Sequence, residues 1–242
     1  MTTGTEGMTA PSRDGQAGPG VAVVAGAGGP LGRATSLALA AAGFTVVGVD
    51  RNEQGLKELP ASIRSEVADA TDPTAAAAVI ERIAGEVGSP AVLVNTIGAF
   101  QLGDALAATP DGLRLMIDVN LGAALWLSQA VAPHMRQRGS GAIVHVTSRP
   151  ALEPTAGMAA YSVSKAALAH LIRILDAELR PNGIRVNAVA PQLLDTPTNR
   201  TIFPPEVLAH AVEPEVIAGL IAFLVSDAAA PVSGAILPAY GA

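Results

Sequence analysis

Residues 21–33 read VAVVAGAGGPLGR. Five apolar residues in succession suit a strand covered on both faces. Gly26, Gly28, Gly29 and Gly32 then punctuate a turn, and Pro30 is placed to open a helix over 31–42. Such a turn lets backbone approach a pyrophosphate closely, and the first N–H groups of the helix, with its dipole, favour an anion. Gly26, Gly28, Pro30, Leu31 and Gly32 are therefore candidate phosphate contacts. Pro30 lacks an N–H, but the Leu31 N–H remains able to face the anion.

Outward from this unit the rhythm repeats. Further strands are expected at 45–50, 63–69, 91–95, 142–148, 184–191 and 235–238, with helices at 73–87, 112–138, 158–180 and 214–225. Alternation of this kind implies parallel strands joined by right-handed crossovers, hence one α/β domain whose doubly wound parallel sheet of about seven strands carries helices on both faces. The domain is expected over 20–242, after a polar tail at 1–19.

The composition excludes several classes of function. A net charge of −6 over 242 residues argues against a nucleic-acid partner. No Cys is present, which removes disulfides, thiolate nucleophiles and Cys-ligated metals. His134, His145, His170 and His210 lack metal-ligand spacing, so no metal is expected. Residues 1–19 lack the apolar core of a signal peptide, and no stretch reaches about 20 uninterrupted apolar residues. The expectation is a soluble, cytoplasmic protein with no membrane partner.

In a sheet of this kind ligands collect beyond the carboxyl ends of the strands, and the unusual residues fall there. Asp50 ends the second strand, where a carboxylate accepts from both adenosine ribose hydroxyls and repels a 2′-phosphate. NAD(H) is therefore favoured, while Arg51, if folded over the ribose, leaves NADP(H) open. Asp69, ending the third strand, either meets an adenine amino group or caps a turn. Asn95 ends the fourth strand, and Gly98 permits close backbone approach. Asn120 interrupts an apolar helix, so its amide either satisfies local backbone or holds a water.

The fifth strand ends at Ser148, thirteen residues before Tyr161, and Lys165 follows Tyr161 by one helical turn on the same face. An ammonium beside a phenol favours the phenolate, and a phenol tuned in that way can exchange protons near neutral pH. Ser148 is placed to hold a substrate oxygen against it. Arg149 either binds a substrate anion or lies on the surface.

In this order these stretches resemble the classical short-chain dehydrogenase/reductase family, with its Rossmann fold, over nearly the whole chain after residue 20. The resemblance rests on the glycine turn, Asn95 and Gly98, Asn120, the Ser148–Tyr161–Lys165 set, and the segment NAVAPQLLDTPT (187–198) with Pro191, Leu194 and Thr196 toward the nicotinamide. It implies hydride transfer between a nicotinamide and a carbonyl or secondary-alcohol carbon of a small molecule, 3-oxoacyl thioesters being one option. Tyr161 would exchange the proton, Ser148 would orient the oxygen, and Asn120 would hold a relay water. Lys165 would lower the Tyr pKa and bind the ribose.

The chain departs from the family at Pro30, at Gln192 in place of a glycine, which either keeps the backbone farther from the nicotinamide or lets the side chain reach substrate, and in a short lid able to supply one helix between Thr196 and Pro214. A different class, a catalytically silent dinucleotide-binding regulator, is the alternative. The stretches LGAALWLSQAVAPHM (121–135) and AALAHLIRIL (166–175) are apolar nearly all round. The 112–138 and 158–180 helices are thus expected to pair in a homodimer or homotetramer.

Overall fold

The structure, a computed structural model, describes residues 19–241. The tail expected over 1–19 therefore lies, apart from Pro19, outside the described residues. Seven strands form one sheet: β1 (Val21–Ala25), β2 (Thr45–Asp50), β3 (Arg64–Val67), β4 (Pro90–Asn95), β5 (Gly141–Val146), β6 (Ile184–Pro191) and β7 (Ile236–Ala239). Their spatial order is β3-β2-β1-β4-β5-β6-β7, and every neighbouring pair is parallel. After β3 the chain crosses to the other side of β1, so the loops leaving β1 and β4 diverge and open a crevice at their carboxyl ends.

Alternate residues of each strand feed separate cores. Val23, Ala25, Leu93, Ile143 and Val186 pack beneath α3 (Pro73–Glu86), α5 (Ala123–Arg138) and α6 (Ala159–Leu179). Their neighbours Ala22, Val24, Val92, Val94 and Val144 pack on the opposite face, against α1 (Pro30–Ala41) and α9 (Pro214–Val225). Both faces are thus apolar, which is why the strands read as continuous Val/Ile/Leu runs. β3 is the exception. It is shorter than the expected 63–69, and as an exposed edge it carries Arg64 and Glu66, paired with Glu86 and Arg82.

Helix starts are set by local chemistry. Pro30, Pro73, Pro110, Pro197, Pro205 and Pro214 each open a helix, where a missing N–H breaks no bond. The four-residue α2 (Glu53–Leu56) begins after Asn52, whose side chain accepts from the Gly55 N–H. The helix expected at 112–138 starts earlier, as α4 (Pro110–Ile117), because the Thr109 hydroxyl caps it at Gly112 N–H. It then passes through a π-helical turn at Asp118–Gly122 before continuing as α5. By length and composition this 29-residue run qualifies as a membrane span, but here it packs against α3, α6 and β4.

The lid differs from the single helix expected. It forms two short ones, α7 (Pro197–Ile202) and α8 (Pro205–Leu208). Pro204 holds Phe203 in extended backbone, at φ −106° and ψ 144°, and that breaks the helix.

Two glycines make the β1–α1 turn possible. Gly26 has φ +82°, and a Cβ on Gly32 would overlap the Gly26 carbonyl oxygen. Gly32→Ala is expected to force turn and helix apart and to destabilise the fold by about 1–3 kcal/mol, measurable by urea denaturation.

Candidate active site

Tyr161 and Lys165 lie in the first turns of α6, and Ser148 follows the end of β5. A hydrogen bond from the Thr147 hydroxyl to the Lys165 main-chain carbonyl (3.1 Å) ties the two elements together. The Ser148 hydroxyl is buried and hydrogen-bonds to no described residue. It lies close enough to the Tyr161 phenol to pull its pKa down, without reaching hydrogen-bond geometry. An unpaired buried hydroxyl is uncommon, and beside a phenol it forms a two-point cradle for a ligand oxygen.

The electrostatics differ from the expectation that Lys165 lowers the Tyr161 pKa. Burial pushes the phenol above its ordinary value, and only the Ser148 hydroxyl offsets this. The reason is geometric: the Lys165 ammonium donates to the Val146 carbonyl at 2.9 Å. Burial also lowers the Lys165 pKa to about 8. Beneath it, His145 is fully buried and held down to about 3, chiefly by burial and then by the Lys165 charge. Its Nε2 contacts the Ser128 hydroxyl (3.1 Å), which itself donates to the Ala124 carbonyl, so Nε2 carries the hydrogen.

Asn120, in the π turn, is completely buried. Its Oδ1 accepts from Ala99 N–H (2.9 Å), and Nδ2 donates to the Ala99 carbonyl (3.0 Å) and to the Ser164 hydroxyl (2.9 Å). Of the two options read from the sequence, protein groups satisfy this amide. Ser164 in turn donates to the Tyr161 carbonyl (2.7 Å). Asn120 Oδ1 and Lys165 Nζ both crowd the α-carbon of Gly98, standing 3.2 and 3.1 Å from where its Cβ would be.

The other predicted residues gather along the same crevice. Asp50 accepts from Gly28 N–H (2.9 Å) and Asn52 N–H (2.8 Å), which holds the carboxylate against the glycine turn. The Leu31 and Gly32 N–H groups have no acceptor in that turn, so an anion cradle with two free donors is in place. Arg51 turns away to Asp69 (3.6 Å). Asp69 lies two residues beyond β3 and caps a turn, accepting from the Thr71 N–H and hydroxyl. Asn95 Oδ1 accepts from Ile97 N–H (3.0 Å), and the Thr96 hydroxyl donates to the Ala25 carbonyl (2.9 Å), closing the crevice floor. Pro191 ends β6 beside Ala239, the Leu194 carbonyl accepts from Asn199, and the buried Thr196 caps α7 at Asn199 N–H.

Arg149 is half-exposed and contacts three neighbours. Its Nε donates to Glu153 (2.7 Å) and Nη1 to Gln192 (2.9 Å), while its guanidinium lies 4.9 Å from the Tyr240 ring centre. On the other side of Tyr161, Phe100 packs edge-on at 5.0 Å, and Phe203 of the lid stands 5.9 Å from Phe100. Phe100, Phe203, Glu153 and Tyr240 were not singled out by the sequence reading. With aromatics at only 3% of the chain, an aromatic two residues past Gly98 was the available signal for Phe100. A cavity of about 1080 Å³ lies at the opposite end of the sheet, between Gly141, Ile184 and Arg185, away from all of this chemistry.

The sequence pattern of the short chain dehydrogenase family matches residues 20–207. The chain belongs to that family. As a short-chain dehydrogenase it is 37% identical to a galactitol 2-dehydrogenase of Rhizobium johnstonii, over 89% of this chain and 91% of that protein. A cis-4-hydroxycyclohexanecarboxylate dehydrogenase of Sinomonas cyclohexanicum is 35% identical over 91% and 95% of the two chains. Among solved structures, a short-chain dehydrogenase/reductase from Burkholderia xenovorans superimposes with a TM-score of 0.85 at 27% identity, covering 91% of this chain and 94% of that one. The family consists of oxidoreductases that bind NAD(P) and interconvert alcohols and ketones.

Burying the Lys165 charge sets the pH dependence of stability in this dehydrogenase. Below about pH 8 folded and unfolded chains both hold the proton, and the full burial penalty weighs on the fold. As pH rises toward 10.5 the folded chain is already neutral and the penalty fades. Lys165→Met strands the Val146 carbonyl but removes the charge, so the nucleotide-free variant is expected to be about 2 kcal/mol more stable at pH 7. The gain should shrink toward pH 10.5, as read by urea denaturation across that range.

Proposed function

We propose that the protein interconverts a ketone and a secondary alcohol of a small molecule, using NAD(H) in preference to NADP(H). The carrying observation is the buried, unpaired Ser148 hydroxyl beside the Tyr161 phenol, at the end of the crevice that holds the glycine turn. A bound nicotinamide supplies or takes the hydride. Tyr161 gives or takes the proton of the substrate oxygen, and Ser148 donates to that oxygen to hold it in place. Lys165, one turn along with its ammonium on the Val146 carbonyl, would hold the ribose of that nicotinamide. Asn120 acts by fixing Ala99 and Ser164, with one Oδ1 lone pair left for a relay water.

The preference for NAD(H) is supported by Asp50. Its carboxylate sits against Gly28, where the adenosine ribose approaches, and a 2′-phosphate would meet a fixed negative charge. Arg51 points toward Asp69, 3.6 Å away. The relatives named for galactitol and for a hydroxycyclohexane carboxylate support small hydroxylated substrates. A 3-oxoacyl thioester carries the same reacting group. Exposed Leu113, Leu115, Val163 and Ile174 on α4 and α6 support pairing of subunits through these helices.

Tyr161→Phe is expected to lose activity by two orders of magnitude or more across a panel of ketones, while NADH binding, followed by fluorescence, persists. Full activity in that variant would refute the mechanism. NADH should bind at least tenfold tighter than NADPH, and Asp50→Ser should narrow the gap. Equal binding of the two nucleotides would remove the role given to Asp50.

A further inference from the structure

The chain has only four Phe and two Tyr, yet Phe100, Phe203 and both tyrosines gather at one site. Across its mouth these groups run in sequence. Phe203 touches Phe100, which touches Tyr161, which faces Ser148, and the next residue, Arg149, is gripped by Gln192 and Tyr240. A substrate whose carbinol carbon lies at the Tyr161 and Ser148 oxygens has the Phe100 ring packed on Tyr161 and a guanidinium on the residue that follows Ser148.

The guanidinium is held in a replaceable way. Its Nε edge pairs with Glu153, but the opposite edge meets only the neutral Gln192 oxygen through Nη1, and Nη2 donates to no described residue. The Gln192 amide oxygen brings no charge to the guanidinium, whereas a carboxylate takes Nη1 and Nη2 together in a bidentate ion pair. Tyr240 stacks on the guanidinium and restricts its swing, so the fork is oriented before any ligand arrives.

Resting on the function proposed above, we propose that the substrate is a hydroxylated or oxo carbocycle bearing a carboxylate. Its ring lies on Phe100 and Phe203, and its carboxylate displaces Gln192 from Arg149. Arg149 is the specificity-determining residue, and Tyr240 is a positioning residue that acts through it.

The test compares kcat/KM with NADH for 4-oxocyclohexanecarboxylate, its methyl ester and the open-chain 4-oxopentanoate. The wild type is expected to favour the ring acid over the ester, and over the open-chain acid, by tenfold or more each. Arg149→Met should bring the acid-to-ester ratio close to one, and Arg149→Lys should restore part of it. Gln192→Glu, which ties up the same edge permanently, should lower that ratio too. Phe203→Ala should reduce the ring-to-open-chain ratio and leave the acid-to-ester ratio in place. Melting temperature and NADH binding, measured on each variant, separate these effects from misfolding. Equal use of acid and ester by the wild type, or an unchanged ratio in Arg149→Met, overturns the inference while leaving the ketone-reductase reading intact. Failure of every ketone to oxidise NADH would instead overturn both.

Discussion

Strands β1, β4, β5 and β6 are covered by helices on both faces, so any polar side chain within them must find its partner inside the protein. Most of the polar atoms that occur there do so, His145 Nδ1 being an exception. Asn187 donates to the Val232 carbonyl and accepts from Ala235 N–H, and His145 meets Ser128. All other chemistry is pushed to the carboxyl ends, where the apolar layers stop. Asp50, Asn95, Ser148 and Gln192 stand at or just past the ends of four strands for this reason. The site is where a two-sided apolar sheet leaves room for charge.

Lys165 is the exception that the site is built around. Its ammonium lies under the helix layer, taken from water and given one carbonyl in return. That arrangement is held from several directions, by Thr147 at its own carbonyl, by Asn120 through Ser164, and by the close pass of Gly98. A charge this poorly compensated draws in oxygen ligands, and the space beside it contains the Tyr161 phenol and the unpaired Ser148 hydroxyl. The stability lost by burial thereby becomes affinity for whatever completes the coordination of that ammonium.

Much of this was legible in the sequence. Near-continuous Val/Ile/Leu runs located the central strands, because two-sided burial leaves a pattern that needs no tertiary information. The glycine turn and the residues at strand ends were legible for the same reason, since each occupies a point where an apolar run stops. The direction of the Lys165 side chain was not, because one-turn spacing reports a shared helix face and says nothing of which acceptor lies nearest. The wall of Phe100 and Phe203 escaped because its residues are 103 apart, and Arg149 gave no sign of its partners just past the ends of β6 and β7. The split lid was written in Pro204 and Pro205, whose effect on Phe203 depends only on local sterics.

The π turn at Asp118–Gly122 has a consequence for the helix that contains it. One added residue advances an α-helix by about 100°, so the two halves of the run are out of phase with each other. Without that offset, a helix whose later part aims Ala124, Leu127 and Val131 at the sheet would carry Asn120 around to a neighbouring face. The widened turn acts as a vernier between two demands on one rod, a packing stripe at one end and an amide aimed at Ala99 and Ser164 at the other. Excising a single residue there would keep the helix and its hydrophobicity and lose the alignment of both.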